Sequence, residues 1–269
     1  GSKWSNVNVT ASFIPDGTIT DGGLPSNLFA KLNTIAPTAT WQLQFARALQ
    51  TWSKYSPLNF HFVSDNGAAS GTSGSAQGDS RFGDTRLGGY ISELWSGYAY
   101  FPSSSTLGGD QFVNTSIAWH LGANPDLYTI FLHETGHTVG MDHSEIYPAV
   151  MRPSISTVYT NLLADDIAGI QSVYGTRQPD TYDNGGGNDT QASATNMNLS
   201  GSGALTLNAD LTTVADLDYY KVISPSSFDG TVSVSVDART VSLLSPKVSL
   251  YDSTGVLLAS ATLVQHMAP

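Results

Sequence analysis

The sequence contains no cysteine. That absence excludes a disulfide frame, thiolate chemistry and cysteine-ligated zinc, so any bound metal has to sit on histidine and carboxylate groups. Basic residues are scarce as well, with 11 Lys and Arg against 22 Asp and Glu and a formal net charge of -11. A negative field of that sign disfavours nucleic acid and anionic membrane surfaces and makes metal cations the more natural partners, although acidity alone also serves solubility. No apolar run approaches the ~18 residues of a membrane span, and none is expected. The opening GSKW lacks the charged-then-apolar pattern of a signal peptide; a natural precursor could have lost both a secretion signal and a pro-segment, and this sequence shows neither.

What is present suffices for two modest domains: 269 residues, of which 40% are hydrophobic. WSNVNVTASFIP at 4–15 alternates apolar and polar residues as a half-buried strand does. Trp41, Leu43, Phe45, Ala46, Leu49 and Trp52 recur at helical spacing, which predicts an amphipathic helix with a core-facing aromatic stripe. LNFHFVSD at 58–65 reads as a second strand, with His61 as a structural or surface residue. DSRFGD at 79–84 and SGYAYFP at 96–102 read as further strand-like pieces. PDLYTIFLHETGHTVG carries a helix start at Pro125 and Asp126 and a stop at Gly140, and a closing helix, LLADDIAGIQSVYG, ends at Gly175.

This order predicts an α+β or α/β domain over residues 3–176. Residues 177–190, rich in Gly, Asn, Asp and Pro, read as a linker. From 191 to 269 the pattern has period two without helical spacing, in GALTLNADL, DYYKVIS, TVSVSVDA and KVSLYDSTGVLLAS. It predicts a smaller all-β, sandwich-like domain with strand alternation at Val232, Val234 and Val236.

Three of the six histidines fall within eleven residues, in HETGHTVGMDH. On a helix, residues four apart share a face, so His133 and His137 can direct their imidazoles at one ion. A third ligand requires the chain to turn back. Gly140, lacking a Cβ, can take the left-handed conformation that ends a helix and bring His143 round. Three His ligands with an open fourth position describe a catalytic zinc site rather than a structural one.

HETGHTVGMDH matches the extended zinc signature of the metzincin metallopeptidases, and PAVMRPS, with Met151, resembles the turn that lies below their zinc. Ser144 after the third His, and the lack of a Tyr just after Met151, make the resemblance closest to the matrixins. LADDIAGIQSVYG is similar to the last helix of matrixin catalytic domains, which implies that Asp165 supports the Met-turn. The implied fold is a twisted, mostly parallel sheet with an antiparallel edge strand plus three helices. The implied activity is a secreted, bacterial, zinc-dependent endopeptidase acting on proteins or peptides, with Glu134 as general base. A zinc-binding pseudo-enzyme is the alternative, against which the presence of Glu134 counts.

The resemblance also implies finer features. Tyr98 and Phe112 stand where animal matrixins place histidines of a second zinc, so a single zinc is expected. Asp79, Thr106, Gly108 and Asp110 look like the counterparts of a calcium site, unless the two aspartates serve ordinary turns. Substrate would lie extended along Tyr98, Ala99 and Tyr100. The pocket for the residue after the cut would be walled by Pro153 and Ile155, backed by Val139, and would favour an apolar guest unless Arg152 turns into it. The C-terminal part resembles a bacterial pre-peptidase C-terminal module, incomplete at its end, so that VQHMAP marks a boundary or a processing end. The protein is expected to be a monomer.

Overall fold

The computed structural model describes residues 2–262 except 184–186, 201–202, 214, 225, 227–229 and 239–241. VQHMAP lies outside the described residues. Contacts divide the chain into two units, one made chiefly of residues up to Thr176, the other chiefly of Arg177–Asp237 and the stretch from Ser245.

In the first unit the chain runs through β1 (Asn8–Phe13), α1 (Leu28–Leu32), α2 (Thr38–Ser53), β2 (Asn59–Phe62), β3 (Thr85–Tyr90), β4 (Gly97–Ala99), β5 (Gln111–Asn114), α3 (Leu127–Thr138) and α4 (Ala164–Tyr174). The five strands form one sheet in the order β2-β1-β3-β5-β4. All pairs are parallel except β4 with β5, where Tyr98 stands opposite Phe112. This is the mostly parallel sheet with an antiparallel edge that the sequence implied. Three helices of 11 to 16 residues accompany it, and α1 is a single short turn of five.

The aromatic stripe of α2 is the centre of the core. Trp41, Phe45 and Trp52 are wholly buried, and Phe45 meets both Phe13 of β1 and Phe131 of α3 edge-on. Burial of each such side chain contributes about 1.5–3 kcal/mol. Leu43, assigned to the same stripe from its spacing, is instead half-exposed. Trp52 Nε1 donates to the Leu132 carbonyl at 2.9 Å, which pins the backbone of α3 against α2.

One strand was misplaced by the sequence reading. Residues 79–84 form a turn, and the ladder begins at Thr85. TRLGGY is a poor strand by propensity, since it carries two glycines and an arginine. Its neighbours explain it: a Cβ at Gly88 would stand 2.9 Å from Ile14 and Phe112, and one at Gly89 would stand 2.8 Å from Thr115. Arg86, fully buried, is held by Asp65 through two 2.8 Å bonds and stacks over Phe82.

The second unit contains β6 (Thr195–Met197), β7 (Tyr220–Val222), β8 (Lys247–Tyr251) and β9 (Leu257–Thr262). β6 and β7 pair in parallel, and β8 and β9 form an antiparallel hairpin. Asp252 closes its turn by accepting from Thr254 and Val256 N–H, with Gly255 at φ +88°. Residues 203–211 and 231–238, expected as strands, form no ladder. Val232, Val234 and Val236 are about half exposed, because alternation specifies the two faces of a strand but not a partner for its edge.

Candidate metal centre

Helix α3 is buried on every face, from Leu127 to Thr138. Asp126 caps it by accepting from Thr129 N–H at 2.9 Å, which satisfies one of the otherwise orphaned first-turn donors. At the other end Gly140 takes φ +93°. Its N–H donates to the His137 carbonyl and that of Met141 to Gly136, both at 2.9 Å, the paired bonds of a Schellman stop. The chain therefore reverses directly after the second histidine. One ring nitrogen from each of His133, His137 and His143 lies within 4.8 Å of the others.

Backbone carbonyls set the tautomers. His133 Nδ1 is 2.8 Å from the Val150 carbonyl and His137 Nδ1 is 2.7 Å from that of Met141. A carbonyl can only accept, so each Nδ1 carries the proton and each Nε2 keeps its lone pair for a metal. Burial pushes the His133 imidazole down to about 4 and lowers that of His137, which keeps both rings neutral. The donor set and its orientation fit zinc. Glu134 is almost fully buried, its Oε2 has no hydrogen-bond partner, and burial raises its carboxyl well above the usual range. Gly97 of β4 lies against it: a Cβ there would stand 2.6 Å from Glu134 Oε1.

Met151 packs under α3 at Gly136, where any side chain would collide with Met151 Sδ and Trp52. The turn carrying Met151 is held by a carboxylate, but by Asp166 rather than the Asp165 that the sequence suggested. Asp166 accepts from Val150 N–H at 2.8 Å, Met151 N–H at 3.0 Å and Leu163 N–H at 3.0 Å. Asp165 instead accepts from Ser144 Oγ at 2.5 Å. Ser144 N–H donates to the Met151 carbonyl at 2.7 Å, so the loop carrying His143 is tied to both the Met-turn and α4. Asp166 is N3 of α4, where its carboxylate folds back to accept from the N-cap residue Leu163 and reaches the turn as well.

The matrixin family profile matches residues 27–175, which takes in the sheet from β2 onward, the three-histidine centre and α4. The chain belongs to the matrixin family. Matrilysin of Rattus norvegicus is 38% identical over 137 residues, 49% of this chain and 49% of its own length. Macrophage metalloelastase of Oryctolagus cuniculus is 36% identical over 141 residues, 48% of this chain and 28% of its own. Matrix metalloproteinase-16 of Homo sapiens is 32% identical over 146 residues, 48% of this chain and 23% of its own. The chain thus spans about half, or less, of the length of these curated relatives.

In this matrixin, Tyr98 and Phe112 stack on one another among Tyr90, Trp95 and Tyr100. Asp21 completes the cluster, accepting from the Tyr98 and Tyr100 hydroxyls at 2.5 Å each. Nothing in the composition flagged Asp21. The hydroxyls of Tyr98 and Tyr100 are thereby engaged within the cluster. His61 stands in β2, at the opposite edge of the sheet.

Of the residues singled out for calcium, Asp79 does not fit. Arg81 takes both its oxygens, at 2.9 and 2.8 Å, and holds the carboxyl well below the usual range. It lies before the third strand, not in it; the aspartate at the strand's start is Asp84, which accepts from Thr10 and Gly78 N–H. Asp110 is wholly buried, and desolvation raises its carboxyl well above the usual range, opposed by Arg86 and by the Ser70 hydroxyl. Thr106 is buried near the 72–74 turn, and Gly108 sits against Ser103, leaving no space for a Cβ. Beyond Met151, Pro153 is exposed, Ile155 packs on the core cluster, and Val139 is fully buried within it. Arg152 donates to the Glu145 carbonyl at 2.8 Å and reaches that of Ser144 at 3.4 Å.

Proposed function

We propose that this matrixin is a secreted bacterial zinc endopeptidase that cleaves proteins or peptides. The observation that carries the reading is the convergence of His133, His137 and His143 beside a buried, unpartnered Glu134, within the segment that matches the family. Zinc bound by the three imidazoles supplies Lewis-acid polarisation of a water molecule and of the scissile carbonyl. Glu134 takes the proton of the water and passes it to the leaving amine. The Val150 and Met141 carbonyls hold the imidazoles in the metal-binding tautomer throughout.

Substrate lies along the free edge of β4 as an added strand, bound through main-chain groups of Tyr98 and Ala99 and continuing past Tyr100. Pro153 and Ile155, with Val139 behind, wall the pocket for the residue after the cut, and an apolar guest is preferred. The engagement of Arg152 with the Glu145 carbonyl supports an uncharged pocket. A structural calcium is held at Asp110 with carbonyls of Thr106 and Gly108. The C-terminal unit serves as a pre-peptidase C-terminal, sandwich-type module, and the protein works as a monomer.

Cleavage profiling on a denatured proteome tests this reading. Cuts should be lost with a zinc chelator and restored by added zinc, with Leu, Met, Ile or Phe enriched just after the cut. Chelator-insensitive cleavage, or none with zinc bound, would overturn it.

A further inference from the structure

Side chains alternate along an extended chain, so Tyr98 and Tyr100 project to one side of β4 and Gly97 and Phe101 to the other. The second side abuts the metal centre. A Cβ on Gly97 would stand 2.6 Å from Glu134 Oε1 and 3.0 Å from Ile130, and the Phe101 ring meets that of His137 edge-on at 5.6 Å. With no slack between β4 and α3, a chain paired with β4 is held in register against Glu134.

The first side is anchored by a single carboxylate. Tyr98 donates to Asp21 Oδ1 and Tyr100 to Asp21 Oδ2, each at 2.5 Å. Because the Tyr98 proton is committed to Asp21, the 2.7 Å contact between the Tyr90 and Tyr98 hydroxyls has Tyr90 as its donor. The bonds therefore run in one direction, from Tyr90 through Tyr98 to Asp21, with Tyr100 arriving at the second oxygen. Burial first, and then the bond to Asp21, raise the Tyr98 and Tyr100 hydroxyls above the usual phenol range, which keeps both as donors. Asp21 itself sits in a closed turn. The Thr20 N–H and hydroxyl both donate to the Leu24 carbonyl, at 2.9 and 2.8 Å, and Gly23 N–H donates to that of Thr20 at 3.0 Å. The turn is pressed onto the cluster, since a Cβ on Gly22 would stand 2.6 Å from the Tyr90 hydroxyl oxygen.

Strand β4 has need of such an anchor. It is three residues long and pairs on one side only, with β5, so its own ladder constrains it weakly. Hydrogen bonds to an ionised carboxylate are about twice as strong as neutral ones, and Asp21 supplies two.

We propose that Asp21 is a positioning residue of the peptidase: through Tyr98 and Tyr100 it sets the place of β4, and so where the main chain of a substrate on that strand stands relative to Glu134. The proposal rests on the reading of β4 as the substrate-binding edge.

The test compares two peptides with the same scissile bond, a long one that extends along β4 past Tyr98 and Tyr100 and a short blocked one, on the full zinc-loaded chain. Asp21→Ala should keep one zinc, raise KM for the long peptide and lower the ratio of kcat/KM, long over short, by ~10-fold or more, as misplacement of a bound reactant does. A loss of folded protein alone would lower kcat for both peptides alike and leave each KM and the ratio unchanged. In the Tyr98→Phe, Tyr100→Phe background, which keeps the rings and removes the hydroxyls, Asp21→Ala should have little further effect on the ratio. The proposal is overturned if Asp21→Ala leaves the ratio at the wild-type value, or if it lowers the ratio as much without the two hydroxyls as with them. A wild type that cleaves but shows no preference for the long peptide would remove the edge-strand reading and the proposal with it; a wild type that leaves both peptides intact would overturn the peptidase assignment itself.

Discussion

The His133 imidazole and the Val150 carbonyl meet at 2.8 Å, and Val150 is itself fixed by the Asp166 carboxylate, which accepts from its N–H at 2.8 Å. The imidazole is thus positioned by a residue 33 places further along the chain, through one intervening residue.

Asp166→Ala is therefore expected to leave three buried or half-buried N–H groups, of Val150, Met151 and Leu163, without an acceptor. At about 1–3 kcal/mol for each buried unsatisfied group, the loss of stability should reach about 3 kcal/mol or more. Zinc affinity should fall ~10–100-fold, as for other outer-shell partners. Asp165→Ala, which loses the Ser144 hydroxyl alone, should cost less; denaturant unfolding and metal competition give the ranking, and an equal or larger effect at Asp165 would contradict it.

Gly136 is required by its neighbours rather than by backbone conformation, for it lies in helix α3 against Met151 and Trp52. Gly136→Ala should destabilise the fold by about 1–3 kcal/mol through overpacking, despite the better helix propensity of alanine. Adding Met151→Ala should recover part of that loss. A thermal midpoint at or above that of wild type in the single variant would show that the Met-turn yields.

Metal analysis of the purified protein should give one zinc per chain. Tyr98 and Phe112 offer no nitrogen, and the Tyr98 hydroxyl is engaged with Asp21 and Tyr90. Two tightly held zinc ions would mean that the aromatic cluster has been misread.

The zinc centre was legible in the sequence because every element of it is local. Four-residue spacing on one helix and a glycine that reverses the chain bring His133, His137 and His143 together without reference to distant residues. What depended on tertiary neighbours was not legible. TRLGGY carries no strand signal until Ile14, Phe112 and Thr115 are seen to require its glycines, and the misplacement of β3 carried the acidic residue at its start from Asp84 to Asp79. Asp165 and Asp166 are adjacent, and only the entry angle of α4 decides which faces the Met-turn. The alternation of Val232, Val234 and Val236 signalled a strand, but the described residues supply no partner for it.

The measurement that bears most directly on the central claim compares wild type with Glu134→Gln for zinc content and casein hydrolysis in parallel. The variant keeps the shape of the side chain and all three imidazoles but has no base, so zinc should remain at one per chain while hydrolysis falls by ~10²-fold or more. A variant that retained its zinc and hydrolysed casein at the wild-type rate would contradict the role assigned to Glu134 and the mechanism built on it.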